Sequence, residues 1–140
     1  MDLFNWNTLN EYEICQLPPL VLAYVGDSVY EVFVRSYLVG KGISQVNKLH
    51  VAAIDFVSAK SQAYLAKNLI EFLSEDEQYV LKRGRNAKSA TTPKNANITD
   101  YRIATGFEAL IGYIFLKKDY SRMHTLFDKI LELKKGASEE

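Results

Sequence analysis

Two acidic residues lie at the centres of long apolar stretches, where an unpaired carboxylate is unfavourable. Asp27 interrupts LVLAYVGDSVYEVF at residues 20–33, and Glu108 interrupts RIATGFEALIGYIFL at residues 102–116. An ionised carboxylate removed from water is costly unless it is paired, strongly hydrogen-bonded or bound to a metal. Magnesium is commonly held by one or two carboxylates together with water and substrate phosphate. The two acids therefore predict a shared site for one divalent cation, which suits hydrolysis of a phosphodiester.

Simpler explanations of the same acids stay open at this level. Asp27 could cap a helix that breaks after Gly26, and Glu108 could line a solvated groove or pair with a lysine from elsewhere. Neither apolar run offers a close basic partner, because Arg35 and Arg102 stand only at the borders. A shared cation would resolve both burial problems together.

Helices must position the two acids, because the sequence predicts an all-α fold. Proline occurs only three times, and alternating strand patterns bounded by turn residues are hard to find. Capping and helix-end signals predict six helices. They are a short one capped by Asn7 or Thr8, one from Pro18 and Pro19 to about 38, one from Ser44 to about 68, one at 75–83 ended by Gly84, one from Asp100 to about 116 capped by Thr99, and one capped by Asp119 or Ser121 that ends near 135.

Two glycines inside the acidic helices predict that these helices touch. Gly26 precedes Asp27, and Gly112 follows Glu108 by one turn. Glycine in a helix interior costs about 1 kcal/mol relative to alanine. Its presence there indicates a close backbone approach, which would bring the two acids near each other.

A basic segment leads into the helix of Glu108. Residues 82–102 contain six basic residues and one acid, although the whole chain balances 17 basic against 17 acidic residues. Basic and amide side chains of this kind contact phosphates and ribose hydroxyls. A merely solvated loop would have the same composition. The candidate RNA-binding residues are Lys82, Arg83, Arg85, Asn86, Lys88, Lys94, Asn95 and Arg102.

Length and composition predict a single domain over residues 1–140. The only cysteine, Cys15, excludes an intrachain disulfide and a multi-cysteine zinc site, and it fits a reducing compartment. No leader pattern stands at the N-terminus, and no stretch reaches the roughly 18 to 20 apolar residues of a membrane span. We therefore expect a cytoplasmic protein without a membrane partner.

The motifs LAYVGDSVYE and ATGFEALIGYIFL, together with KRGRNAKS and PKN, resemble those of the Mini-III ribonucleases over essentially the whole chain. These are ribonuclease III enzymes reduced to the catalytic domain. The resemblance implies an all-α homodimer without a double-stranded RNA-binding domain, which cleaves double-stranded RNA with Mg²⁺, or with Mn²⁺ in its place. It implies that Asp27 and Glu108 are the catalytic metal ligands. It also implies maturation of 23S ribosomal RNA precursors, which could depend on ribosomal proteins.

The chain departs from larger ribonuclease III enzymes one turn before each acid. They carry further acids there, whereas this chain has Ala23 and Thr105. With two carboxylates, a metal ion would keep more water and rely on RNA phosphate oxygens. Glu31, one turn after Asp27, is interpreted as a salt-bridge or interface residue, with a water-mediated contact to the metal as the alternative.

Two other functions fit the sequence. A non-catalytic RNA-binding or ribosome-associated helical dimer would use the acids structurally and would bind RNA without cleaving it. A helical dimerisation module would bind no RNA at all. The two histidines, His50 and His124, are too few for a His-Asp metal phosphohydrolase and are interpreted as surface or packing residues.

Overall fold

The computed structural model describes residues 2–88 and 97–139, and every regular element within these ranges is helical. The predicted all-α fold is confirmed. The helices are α1 (Glu11–Cys15), α2 (Pro19–Gly40), α3 (Val46–Val57), α4 (Ala59–Leu69), α5 (Glu75–Asn86), α6 (Ile98–Leu116) and α7 (Tyr120–Glu139), with one 3₁₀ turn at Ile70–Phe72 between α4 and α5. None of these helices has the length and apolar character that a membrane crossing requires.

Helix α6 is the central element, and α2, α4 and α5 pack around it. A helix that is apolar on nearly every side is typical of one surrounded by protein, and the sequence of α6 shows this pattern. Its buried residues are Ile103, Ala104, Gly106, Phe107, Ala109, Leu110, Ile111, Gly112, Tyr113 and Ile114.

Helix α2 differs from α6, although its apolar pattern is similar. Leu22 and Tyr30 point into the core, whereas Tyr24 and Val32 are 79% and 69% exposed. Helix α2 is therefore not covered on every side within this chain. One broad face of α2 is open to solvent, and Asp27 lies on it.

Glycines allow the backbones of α2 and α6 to touch. A Cβ atom on Gly26 would overlap the carbonyl oxygen of Glu108 and lie 2.8 Å from the nitrogen of Gly112. A Cβ atom on Gly112 would in turn overlap the carbonyl oxygen of Leu22. The close approach predicted from Gly26 and Gly112 is confirmed.

A second glycine contact joins α5 to α6. A Cβ atom on Gly84 would lie 2.7 Å from the Cα atom of Gly106, which is too close for any side chain. The prediction that Gly84 ends its helix is wrong, since α5 continues to Asn86. Gly84 serves helix packing instead, and it places the last turn of α5 against the first half of α6.

The helix predicted from Ser44 to about 68 is two helices. Ser58 separates α3 from α4 with an extended backbone, and its hydroxyl accepts a hydrogen bond from the Ser61 nitrogen at 3.2 Å. Serine is favoured at the N-terminal cap of a helix because its side-chain oxygen accepts a hydrogen bond from a backbone N–H that has no partner within the helix. The break gives α4 its own direction, with Gln62 in its first turn.

Other helix boundaries follow local capping chemistry. The predicted capping box of Ser74 and Glu77 is confirmed. The carboxylate of Asp119 accepts a backbone hydrogen bond in the first turn of α7, as predicted. Two predicted caps are wrong, because Asn10 caps α1 and Asn97 caps α6.

Replacing Gly26 with alanine tests the backbone contact between α2 and α6. Because the added methyl group would overlap Glu108, we expect Gly26→Ala to lower the free energy of unfolding by about 3 kcal/mol or more. Gly40→Ala is the matched control in the same helix, since a Cβ atom there meets nothing within 4 Å. It should be neutral or stabilising by up to about 1 kcal/mol. Urea unfolding followed by circular dichroism measures both, and equally small effects would contradict the contact.

Candidate active site

The structure brings the two predicted acids side by side. Gly26 contacts the backbone of Glu108. The next residue of α2, Asp27, lies beside the Glu108 side chain. The two carboxyl groups lie within hydrogen-bonding reach of each other. Two carboxylates this close repel each other unless a proton or a cation lies between them.

Burial and Asp27 together change the acidity of Glu108. Glu108 is half-buried, whereas Asp27 faces solvent, which corrects the expectation that both acids are enclosed. Burial first, and then the hydrogen bond and charge of Asp27, raise the pKa of Glu108 from 4.5 to about 8. Without a cation, the pair therefore holds a proton at neutral pH. A bound cation would displace this proton, because carboxylate ligands bind metal in their ionised form.

Gln62 is a member of the site that sequence analysis missed. It lies in the first turn of α4, is only 4% exposed, and faces the carboxyl group of Glu108. Its amide nitrogen also donates to the Val57 carbonyl oxygen at 3.2 Å. The sequence does show a glutamine among apolar residues of the predicted helix. It could not be assigned to the site because the helix break at Ser58 was not predicted.

The neighbouring acid Glu31 has a partner of its own. Its carboxylate forms an ion pair with Arg35 at 3.2 Å, which confirms its interpretation as a salt-bridge residue. Its negative charge still contributes to the raised pKa of Glu108. Glu31 therefore adds to the negative potential at the site.

The donor set fits a hard cation that keeps part of its water shell. No group of three or more His, Cys, Asp or Glu residues suited to a metal ion occurs in the part of the chain that the structure describes. The position one turn before Glu108 is Thr105, whose hydroxyl donates to the Tyr101 carbonyl oxygen at 3.0 Å. The site thus offers two carboxyl groups, Asp27 open to solvent and Glu108 half-buried. Mg²⁺ is usually bound by one or two carboxylates together with water and substrate phosphate.

The predicted RNA-binding residues flank the glycine contact between α5 and α6. Lys94 and Asn95 lie outside the described residues. Of the other six, five are exposed, and they are Lys82, Arg85, Asn86, Lys88 and Arg102. Their contact with RNA stays a prediction.

Arg83 has structural contacts within the chain. Its guanidinium donates to the Cys15 carbonyl oxygen at 2.8 Å and lies 5.6 Å from the centre of the Tyr79 ring. These contacts tie the end of α1 to α5. They give Arg83 a structural role that the charge pattern did not predict.

Comparison with known proteins shows a matching domain family, similar named relatives and a similar solved structure. The Ribonuclease III domain family matches residues 20–119, which include both acids. The Mini-ribonuclease 3 of Clostridium tetani is 45% identical over 128 residues, or 91% of this chain and 85% of that protein. The Mini-ribonuclease 3 of Enterococcus faecalis is 50% identical over 115 residues, or 81% and 87%. The crystal structure of protein FN1578 from Fusobacterium nucleatum aligns with a TM-score of 0.76 at 27% identity, over 84% and 95% of the two chains.

The protonated carboxyl pair should make the stability of the metal-free protein depend on pH. The folded chain holds the Glu108 proton more tightly than the unfolded chain does, so raising the pH from about 4.5 to about 8 lowers the free energy of unfolding. Glu108→Gln cannot titrate, and we expect it to be more stable than the wild type by about 2 kcal/mol or more above pH 8. At about pH 4 the two proteins should be equally stable. Urea unfolding in EDTA across this range measures the difference, and a difference that is constant with pH would contradict the assignment.

Proposed function

The chain belongs to the Mini-ribonuclease 3 family and is an endoribonuclease, and from this premise we propose that it hydrolyses double-stranded RNA with Mg²⁺ held by Asp27 and Glu108. The observation that carries this proposal is the pair of juxtaposed carboxyl groups, in which burial and Asp27 raise the pKa of Glu108. Mn²⁺, which prefers similar oxygen ligands, would substitute. Paired acids of this kind favour catalysis over the two alternatives, a non-catalytic RNA-binding protein and a dimerisation module.

The natural substrate that we propose is the 23S ribosomal RNA precursor, with ribosomal proteins as accessory partners. This part of the proposal rests on the family resemblance and not on any contact in the chain. A cytoplasmic location belongs to the same proposal, because ribosomal RNA is processed where ribosomes assemble.

Asp27 and Glu108 have different roles in the proposed hydrolysis. A divalent cation bound there would polarise the scissile phosphate and lower the pKa of an attacking water molecule. Asp27 faces solvent, so an RNA phosphate can reach it without a change in the fold. Glu108 would bind the cation as a carboxylate, after losing the proton that its raised pKa favours.

The exposed basic residues of α5 and α6 would hold the RNA backbone. Lys82 and Arg85 lie on α5, and Arg102 lies in the first turns of α6 on the way to Glu108. An A-form duplex is recognised mainly through its shape, its phosphates and its 2′-hydroxyls. Because phosphate contacts release counterions, we propose that duplex affinity falls steeply as salt is raised.

A cleavage assay tests the metal-ligand assignment. The wild type should cut labelled double-stranded RNA in Mg²⁺ at low salt, while Asp27→Asn and Glu108→Gln should lose more than about 100-fold in rate, since loss of even an outer-shell partner costs 10–100-fold. Both variants should still bind the duplex. Glu132→Gln, which removes an exposed carboxylate of α7, is the control and should cleave normally. Equal rates in all four proteins would remove the two acids from the mechanism.

We also propose that the active unit is a homodimer formed through an apolar groove beside α2. The groove has a volume of about 910 Å³, and its lining includes Tyr24, Val25, Val29, Val32, Phe33 and Phe127. Exposed apolar residues gathered along one groove can mark an interaction site. A second copy related by a twofold axis would cover both grooves at once and match the symmetry of a duplex. Because Asp27 is on the exposed face of α2 next to the groove residue Ser28, each active site would lie near the interface.

A charge introduced into the groove tests the dimer. Tyr24 is 79% exposed and lines the groove, so we expect Tyr24→Glu to weaken association by at least about 2 kcal/mol, or about 30-fold in Kd. Val51→Glu is the matched control, because Val51 is 69% exposed on α3 and outside the groove lining. Sedimentation equilibrium gives both constants. A monomeric wild type, or equal effects of the two substitutions, would contradict the proposed interface.

A further inference from the structure

Gln62 is one of two buried polar side chains in residues 2–88 and 97–137. The other is Glu77, whose carboxylate binds the Arg122 guanidinium at 2.6 and 2.8 Å and also completes the capping box with Ser74. Burying a polar group is unfavourable unless it is hydrogen-bonded. The position of Gln62 therefore calls for an equally specific explanation.

The amide nitrogen of Gln62 faces two acceptors on different helices. One is the carbonyl oxygen of Val57, the last residue of α3, at 3.2 Å. Carbonyl groups in the last turn of a helix have no partner within the helix. The other acceptor is the carboxyl group of Glu108 on α6, within hydrogen-bonding reach. Only the NH₂ end of the amide, which carries two N–H donors, can serve both, so the orientation of the side chain is determined.

We propose that Gln62 is a positioning residue, which anchors the Glu108 carboxyl group to the end of α3 and keeps it beside Asp27 for cation binding. This inference rests on the proposed metal site. A ligating carboxylate is typically held by outer hydrogen bonds, and loss of such a partner costs 10–100-fold in metal affinity or activity. Glutamate at this position would present acceptors to the Val57 carbonyl oxygen, so the amide itself is required.

The anchor explains why a flexible side chain can serve as a precise ligand. The glutamate side chain has three rotatable bonds, and fixing them on cation binding has an entropic cost. In the proposed role, the Gln62 amide would hold the Glu108 carboxyl group in position before a cation binds. Its removal should therefore weaken cation binding more than it lowers the maximum rate.

Mn²⁺ titration calorimetry at fixed pH tests the inference on the full chain. Gln62→Met keeps the size of the side chain and removes both donors, and we expect it to weaken Mn²⁺ binding about 10–100-fold. The Mg²⁺ concentration for half-maximal cleavage should rise by the same factor, with duplex affinity unchanged. Gln78→Met is the matched control, because the Gln78 amide donates to the carbonyl oxygens of Ile70 and Leu73 at 2.9 and 3.3 Å, at the other end of α4. It should keep the wild-type Mn²⁺ affinity.

Comparison with Asp27→Asn separates the inference from the proposed function. If Asp27→Asn loses Mn²⁺ binding and Gln62→Met keeps it, the positioning role is wrong and the metal site stands. If the wild type and Asp27→Asn bind Mn²⁺ alike, the metal site is wrong and the inference fails with it. If Gln62→Met does not fold, Gln62→Asn is measured in its place. Its shorter amide cannot span Val57 and Glu108 together, so wild-type affinity in that variant would equally overturn the inference.

Discussion

The direct backbone contact between α2 and α6 is the constraint on which both the fold and the site depend. Packed helices usually lie 8–10 Å apart because side chains separate them. Here Gly26 removes the side chain, and α2 meets the Glu108 carbonyl oxygen itself. The residue after Gly26 is Asp27, so the contact that packs the two helices also juxtaposes the two carboxyl groups. Any change that separates the helices must therefore separate the two carboxyl groups.

The same contact makes the metal-free site unfavourable. Glu108 is half-buried beside a second acid, and its pKa near 8 reflects the free energy needed to ionise it there. A proton relieves this repulsion at neutral pH, and a divalent cation would relieve it more completely. A cation that binds only the folded chain stabilises it. The same pair of carboxyl groups would therefore link cation binding to the stability of the fold.

Sequence patterns predicted the elements whose cause is local or directly chemical. The span of α2, the contact of Gly26 with α6 and the juxtaposition of Asp27 with Glu108 all followed from apolar runs and misplaced polar or glycine residues. What was missed depends on tertiary packing. Nothing in the sequence marks Ser58 as a break more strongly than other serines, and Gln62 acquires its role only because α4 starts there.

An apolar pattern also does not show what covers the apolar surface, the rest of the same chain or a second copy. Helix α2 has two faces. Leu22 and Tyr30 fill the core, and the exposed face carries Tyr24, Val32 and Asp27. The core and the exposed face together make the helix apolar nearly all round, the pattern of a helix buried within one chain. In the proposed homodimer the exposed face would be covered by a second copy. An apolar run with a glycine and an acid at its centre is then the sequence expected of a helix that packs closely on α6, contacts a second copy and binds a cation.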